Sequence, residues 1–456
     1  MKNVLLFIWA IILIAFVPAS AQEEVVAEID TTSNIKKGWN FGGLPVVSYD
    51  SDLGFQYGAL ASIYHYGDGS RYPEFDHNFY VEASWFTKGS GIFRFAYESD
   101  RLIKNIRLFF DISYIPDAAY DFIGFNGYES VYNIPWIEED NANYRTRAFY
   151  KMSRKMFRTR ADFQGKLAVK NLFWTSGFEF YNVDIGSADI DKYNKGKDED
   201  EQLPSIEDMP GLYDRYQQWG IIDGQDASGG NVFGVKVGFS YDSRNVRAHP
   251  TKGIWTDAGI FYAPSFLNDY DKGYVKLYFV HRQYLSIVKK RLTFAYRLGY
   301  QSSLGTKGPW YTDQFLITTP LRGATSEGLG GGKTLRGIKR NRVVGDGFAY
   351  GNIELRWKAV FFKFIGQNFY IGVNGFMDAG QVVKFIPIEE EVKAIDEVGF
   401  DREDYFDLGA ESLHISYGAG LRISMNENFI IAVDYGLAAS EKDGTSGLYI
   451  GLNYLF

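Results

Sequence analysis

From Leu292 to Gln301 the chain alternates without a break: Leu292, Phe294, Tyr296, Leu298 and Tyr300 interleave with Thr293, Ala295, Arg297, Gly299 and Gln301. Side chains of an extended strand point alternately to its two faces, so one face here is wholly apolar and the other small, polar or charged. The same period recurs in segments of about ten residues or slightly more, the length a tilted strand needs to cross a bilayer. Strands are predicted near 53–64, 76–86, 91–98, 105–114, 144–152, 157–168, 171–183, 231–241, 253–263, 273–287, 291–303, 348–359, 368–382, 414–425, 429–438 and 446–456. That is an even number, sixteen. A soluble sandwich also alternates, but the number and length of the strands and the way the last one ends favour a closed barrel. Composition agrees. Aromatic residues make up 17% of the chain, and Gly outnumbers Pro 49 to 12, which suits many strands with aromatic girdles at two membrane interfaces.

The N-terminus carries Lys2, an apolar stretch from Val4 to Val17 and then Ala19-Ser20-Ala21 before Gln22, the pattern of a cleaved secretory signal. Expected boundaries are a signal peptide over 1–21, a short periplasmic lead-in over 22–39 and a barrel over 40–456. After the leader no apolar run approaches a spanning helix, so embedding in a membrane requires a closed sheet. With no cysteine, neither a disulfide framework nor a lipidated N-terminal cysteine is available. If the first connection faces outward, the long segments 184–230, 304–347 and 383–413 lie outside. The short ones, 169–170, 288–290, 360–367 and 426–428, then lie inside, the usual asymmetry of outer-membrane barrels. One connection, 115–143, breaks the rule and falls inside. The chain ends Gly451-Leu452-Asn453-Tyr454-Leu455-Phe456. This resembles the C-terminal recognition strand of bacterial outer-membrane proteins, with Tyr449, Gly451, Tyr454 and Phe456 at the patterned positions, and implies export to the outer membrane of a Gram-negative bacterium.

Three motifs in order carry a family resemblance. Tyr241-Asp242-Ser243-Arg244 precedes Pro250-Thr251-Lys252-Gly253 at an inner turn. Gly330-Gly331-Gly332 precedes Leu335-Arg336-Gly337-Ile338. Ile353-Glu354-Leu355-Arg356 precedes Phe376-Met377-Asp378-Ala379-Gly380 on the next strand. Together they resemble the BamA/TamA (Omp-eighty-five, bacterial surface antigen) superfamily of assembly and translocation barrels, over about residues 40 to 456. The resemblance implies an all-β, 16-stranded antiparallel transmembrane β-barrel with an inward-folded external loop after strand 11. It also implies a part in inserting, assembling or exporting outer-membrane components, through a weak seam between the first and last strands, here 53–64 and 447–456. Members that accept substrates carry periplasmic POTRA modules before the barrel; the lead-in is too short for one, so a POTRA-less member is expected. A structural subunit of a larger complex and a passive channel or porin are the alternatives.

Strand parity gives the loop motif a physical reading. Glu354 shares a face with Asn352 and Arg356, and Asp378 with Asn374, so both carboxylates face the lumen from neighbouring strands. One guanidinium can satisfy both through charge-assisted, bidentate hydrogen bonds that lysine cannot reproduce. Spacing alone leaves Arg336 equally open to being an ordinary loop charge beside a watery pore. The resemblance implies a structural lock of Arg336 and Gly337 against Glu354 and Asp378, and an inner-turn motif of Asp242, Arg244, Pro250 and Gly253.

Other charges are expected to be bland. Arg145, Arg147 and Lys151 on one strand, with Arg158 and Arg160 on another, read as lumen arginines balanced by inward acids. Asp198 to Glu201 and Glu389 to Glu391 read as solvated external loops. His65, His77, His249, His281 and His414 are scattered singly; His65 and His77, flanking a predicted external loop, are the one pair worth checking for chemistry. No enzymatic activity, metal site or cofactor is expected. A net charge of -8 on an exported chain argues against nucleic acid. Expected partners are outer-membrane lipids and lipopolysaccharide, with outer-membrane protein substrates or complex subunits.

Overall fold

A computed structural model describes residues 35–456, apart from 51–53, 73, 248, 317–327, 365–366, 398–399 and 426–428. The predicted leader and most of the lead-in lie outside the described residues. The chain forms sixteen antiparallel strands: β1 Trp39–Asp50, β2 Gly54–His65, β3 His77–Phe86, β4 Gly91–Ile103, β5 Ile106–Asp121, β6 Lys151–Lys166, β7 Leu172–Ser187 and β8 Gly229–Asp242. The second half is β9 Gly253–Ala263, β10 Tyr274–Val288, β11 Leu292–Ser303, β12 Gly347–Phe364, β13 Gln367–Lys384, β14 His414–Met425, β15 Phe429–Ala438 and β16 Ser446–Leu452. Each strand pairs with its sequence neighbours, and β1 meets β16 to close the barrel.

The polarity of the barrel is inverted relative to a soluble protein. On β11, Thr293, Arg297 and Gln301 are buried while Leu298 and Tyr300 are exposed. Some of the largest fully buried side chains are arginines, Arg160, Arg336, Arg342 and Arg422. Hydrocarbon outside and paired charge inside is the arrangement a membrane barrel requires.

The sequence-based total of sixteen strands holds, through two compensating departures. Trp39–Asp50 is a strand that was not predicted; its Gly42, Gly43 and Pro45 are poor strand formers, yet it pairs with β2 along its whole length. Conversely, the predicted 144–152 and 157–168 are one strand, β6; Arg145 and Arg147 lie in the connection before it. These corrections remove the misplaced loop. With β1 in place, 122–150 joins 188–228, 304–346 and 385–413 at one end of the barrel, and every connection at the other end is short. The 66–76 connection, predicted external, falls at the short-turn end. His65 and His77 pair directly there.

The four long connections fold on one another as an aromatic cap. Phe122 meets Tyr216 and Trp310 edge to face, with centroids 5.1 and 5.7 Å apart. Trp219 of 188–228 packs on Tyr405 and Phe406 of 385–413. Such pairs favour edge-on geometry because ring edges are positive and faces negative.

Candidate functional site

Connection 304–346 turns back into the barrel and presents Arg336 and Arg340 to different walls and Arg342 to two neighbouring connections. Arg336 is fully buried. Its Nε and Nη2 donate to the two oxygens of Asp378, each at 2.9 Å, and its Nη1 donates to Glu354 Oε1 at 2.6 Å. Its backbone N–H adds a bond of 3.0 Å to Asp378, and Asp434 on β15 stands 3.6 Å from Nη1. Burial works against the charge on Arg336, but the Asp378 and Glu354 carboxylates outweigh it and hold its pKa above the ordinary arginine value.

The surrounding motif is explained by contacts. Phe376 lies beneath the guanidinium, 3.6 Å from its centre to the ring centroid, in the stacked geometry that favours arginine. Gly337 has φ +96, and a Cβ there would stand 2.6 Å from the Gly436 carbonyl carbon. A Cβ on Gly436 would in turn stand 2.5 Å from the Arg336 oxygen. Two glycines back to back let the loop backbone lie directly on β15.

Arg340 and Arg342 escaped the sequence reading, which weighed only one arginine of this loop. Arg340 donates to Asp117 at 2.7 Å and to Asp121 at 3.0 Å, both on β5. Arg342 donates to the Gly127 carbonyl at 2.6 Å and to the Lys442 carbonyl at 2.8 Å. The loop is therefore a strut from β5 across the lumen to β12, β13 and β15. His414, which stands singly in the sequence, has partners as well. Its Nδ1 is 2.6 Å from Asp443, its Nε2 is 3.2 Å from Glu411, and its ring stacks 3.9 Å from Tyr128, knitting three external connections together.

The seam is the second notable element. It runs between β1 and β16, not from 53–64 as predicted, because an unpredicted strand precedes those residues. Among the described residues β1 pairs with β2 at all twelve positions but with β16 at a single pair, Asp50 with Tyr449. β16 is the shortest strand, ending at Leu452. The predicted recognition strand is thus corrected: Tyr449 and Gly451 lie on it, but Tyr454 and Phe456 do not. Asn453 adopts a left-handed backbone, φ 68, and the following residues turn inward. Phe456 is buried beside Tyr284 and Ala295, and its backbone oxygen accepts from Arg356 Nη2 at 2.9 Å. Arg356 also donates to Glu354 at 2.6 Å, joining the chain end to the loop lock. Tyr449 takes part in the lock too, its hydroxyl accepting from the Gly337 N–H at 3.2 Å.

The inner-turn motif is a folded unit between β8 and β9. Arg244 clasps Asp242 at 2.9 and 2.7 Å and stacks 3.9 Å above Trp255, whose ring also lies 3.9 Å from Arg282. Gly253, φ +112, is required because a Cβ would meet the Ser243 oxygen at 2.4 Å. Buried Pro250 lines a small cavity with His249, Arg356 and Tyr454, beneath the inturned chain end. The wall arginines are paired: Arg158 with Asp111 at 2.8 Å and Arg160 with Asp162 at 3.4 Å. Among the described residues no cluster of acids and histidines could hold a metal.

A sixteen-stranded barrel with a loop locked inside it and a closing seam that carries one pair among the described residues defines a class of outer-membrane protein. Residues 104–456 match the Omp85 superfamily domain, and the chain belongs to that family. Its fold is similar to BamA from Haemophilus ducreyi lacking POTRA domains 1–3, with TM-score 0.52 and 15% identity over 92% of this chain and 70% of that one. CdiB from Escherichia coli aligns with TM-score 0.54 and 11% identity over 92% of this chain, which spans 63% of CdiB. No curated protein matches the sequence significantly.

Proposed function

We propose that this Omp85-family barrel takes part in inserting or assembling outer-membrane components, with the free edge of β1 as the template for an incoming strand. The observation that carries the proposal is the seam. Eleven of the twelve residues of β1, Trp39 to Tyr49, lack a β16 partner among the described residues. Unpaired backbone facing hydrocarbon is costly, so an open edge in a membrane wall favours a strand that can complete it. The seam-facing region is also apolar, with Phe41 81% exposed. On this reading its partners are membrane lipids, lipopolysaccharide and nascent outer-membrane strands, and a signal peptide delivers it.

A cysteine-free chain allows a clean test. Asp50→Cys with Tyr449→Cys would lock the seam on oxidation and free it on reduction. Oxidation is expected to lower outer-membrane protein levels and growth, reversibly. Unchanged levels and growth with the disulfide fully formed would exclude the seam mechanism. The channel alternative is disfavoured by the strut, which crosses the lumen, and by the aromatic cap at the same end as the long connections.

A further inference from the structure

A second open edge stands far from the seam, at the short-turn end. β12 and β13 are each 18 residues long. β11 stops pairing with β12 at Leu292 opposite Trp357, and the last backbone contact is Lys358 N–H to the Arg291 carbonyl at 2.8 Å. Pairing of β12 with β13 continues to Phe364 opposite Gln367. Ala359 to Phe364 therefore form an overhang of about 20 Å that has no strand on its β11 side among the described residues. A register shift between Lys358 and Val360 introduces it.

The overhang is sticky in two ways. Its outward face is apolar: Val360, Phe362 and Phe364 are 45%, 41% and 60% exposed, and Phe362 stacks on Phe369 at 5.3 Å. Lipid is a poor cover for it, because an open backbone edge is not tolerated in hydrocarbon. Stable proteins cover or blunt such edges, and extended peptides add to them as an extra strand. Its rim is basic. Lys289, Lys290 and Lys363 are exposed, and Arg291 reaches the Ala359 carbonyl at 3.4 Å.

We propose that Ala359–Phe364 is a docking edge for an extended strand of a separate periplasmic protein, one alternating apolar with acidic side chains. Backbone pairing would supply the register, Val360, Phe362 and Phe364 the apolar contact, and the lysine rim the charge preference. The site lies several strands from the seam and does not depend on the insertion reading.

The test uses the full chain in nanodiscs and a labelled ten-residue peptide alternating Glu and Val, followed by fluorescence anisotropy. Saturable binding is expected, weakened about tenfold or more by Phe362→Glu, by Phe364→Glu and by N-methylation of alternate peptide amides. N-methylated peptide binding as tightly as the parent would reduce the site to charge attraction and overturn the proposal. So would either variant, shown by heat-modifiable migration to be folded, binding unchanged. A fluorophore on Phe364→Cys that is quenched by brominated acyl chains would place the face in lipid, and a dimer abolished by Phe362→Glu would assign it to self-association. Either result overturns the proposal as well.

Discussion

Arg336→Ala tests the strut most directly. The substitution removes three charge-assisted side-chain bonds, two to Asp378 and one to Glu354. At roughly 1.5–3 kcal/mol each their gross loss is large, but compensation is built in. Glu354 keeps its 2.6 Å bond from Arg356, and Asp378 keeps the backbone N–H of residue 336. The net cost of undocking the loop is therefore expected near 3–5 kcal/mol, the range for removing one partner of a buried pair. If the loop opens faster than it is cut, the cleavage rate follows the open population. Tryptic cleavage at Lys339 and Arg340 of the protein in detergent should then rise by roughly two to three and a half orders of magnitude. Arg336→Lys should fall between, since one ammonium cannot reproduce the bidentate contact. The cost should shrink in an Asp378→Asn background, because the two residues act as one unit. A rise of less than about threefold, or equal costs in both backgrounds, would refute the lock.

Gly337→Ala and Gly436→Ala should each loosen the same loop by about 1–3 kcal/mol, Gly337→Ala the more, since its backbone is left-handed as well as crowded; urea unfolding in micelles measures both. Arg244→Ala should cost about 1–3 kcal/mol by freeing Asp242 and uncovering Trp255, seen as a lower unfolding midpoint with an unchanged strand signature in circular dichroism. Glu397 bridges two connections of the cap, 385–413 and 188–228, accepting from Trp219 at 2.8 Å and Arg215 at 3.1 Å, and the Trp219 bond holds its pKa below the ordinary glutamate value. A lowered carboxyl pKa gives stability above the ordinary value that is lost as pH falls through the lowered one. Protease protection of 385–413 should thus exceed that of Glu397→Ala at neutral pH and converge with it in acid.

The barrel was legible because its period-two alternation survives wherever one face meets lipid and the other meets charge, as on β11. It failed where that contrast is weak. In Trp39–Asp50 glycines and a proline interrupt the pattern, and around Tyr144–Lys151 loop residues continue it by chance. Losing the end of β5 at residue 114 hid Asp117 and Asp121, and with them the role of Arg340. The contacts of Arg336 lie between strands whose parity can be counted, so spacing nominated its partners. Those of His414 join segments far apart in sequence, and the inward turn of Tyr454 to Phe456 begins at one left-handed asparagine; neither leaves a periodic trace.

The strut distributes stiffness unevenly around the wall. It ties β5 to β12, β13 and β15, and through Tyr449 it also grips β16. Among the described residues none of these bonds carries it to β1 to β4. If the seam parts, the C-terminal side is the clamped jaw and the hairpins from Trp39 to Ile103 are the compliant one. Strain imposed at the seam would then be borne by the four N-terminal strands while the loop-bound half keeps its shape.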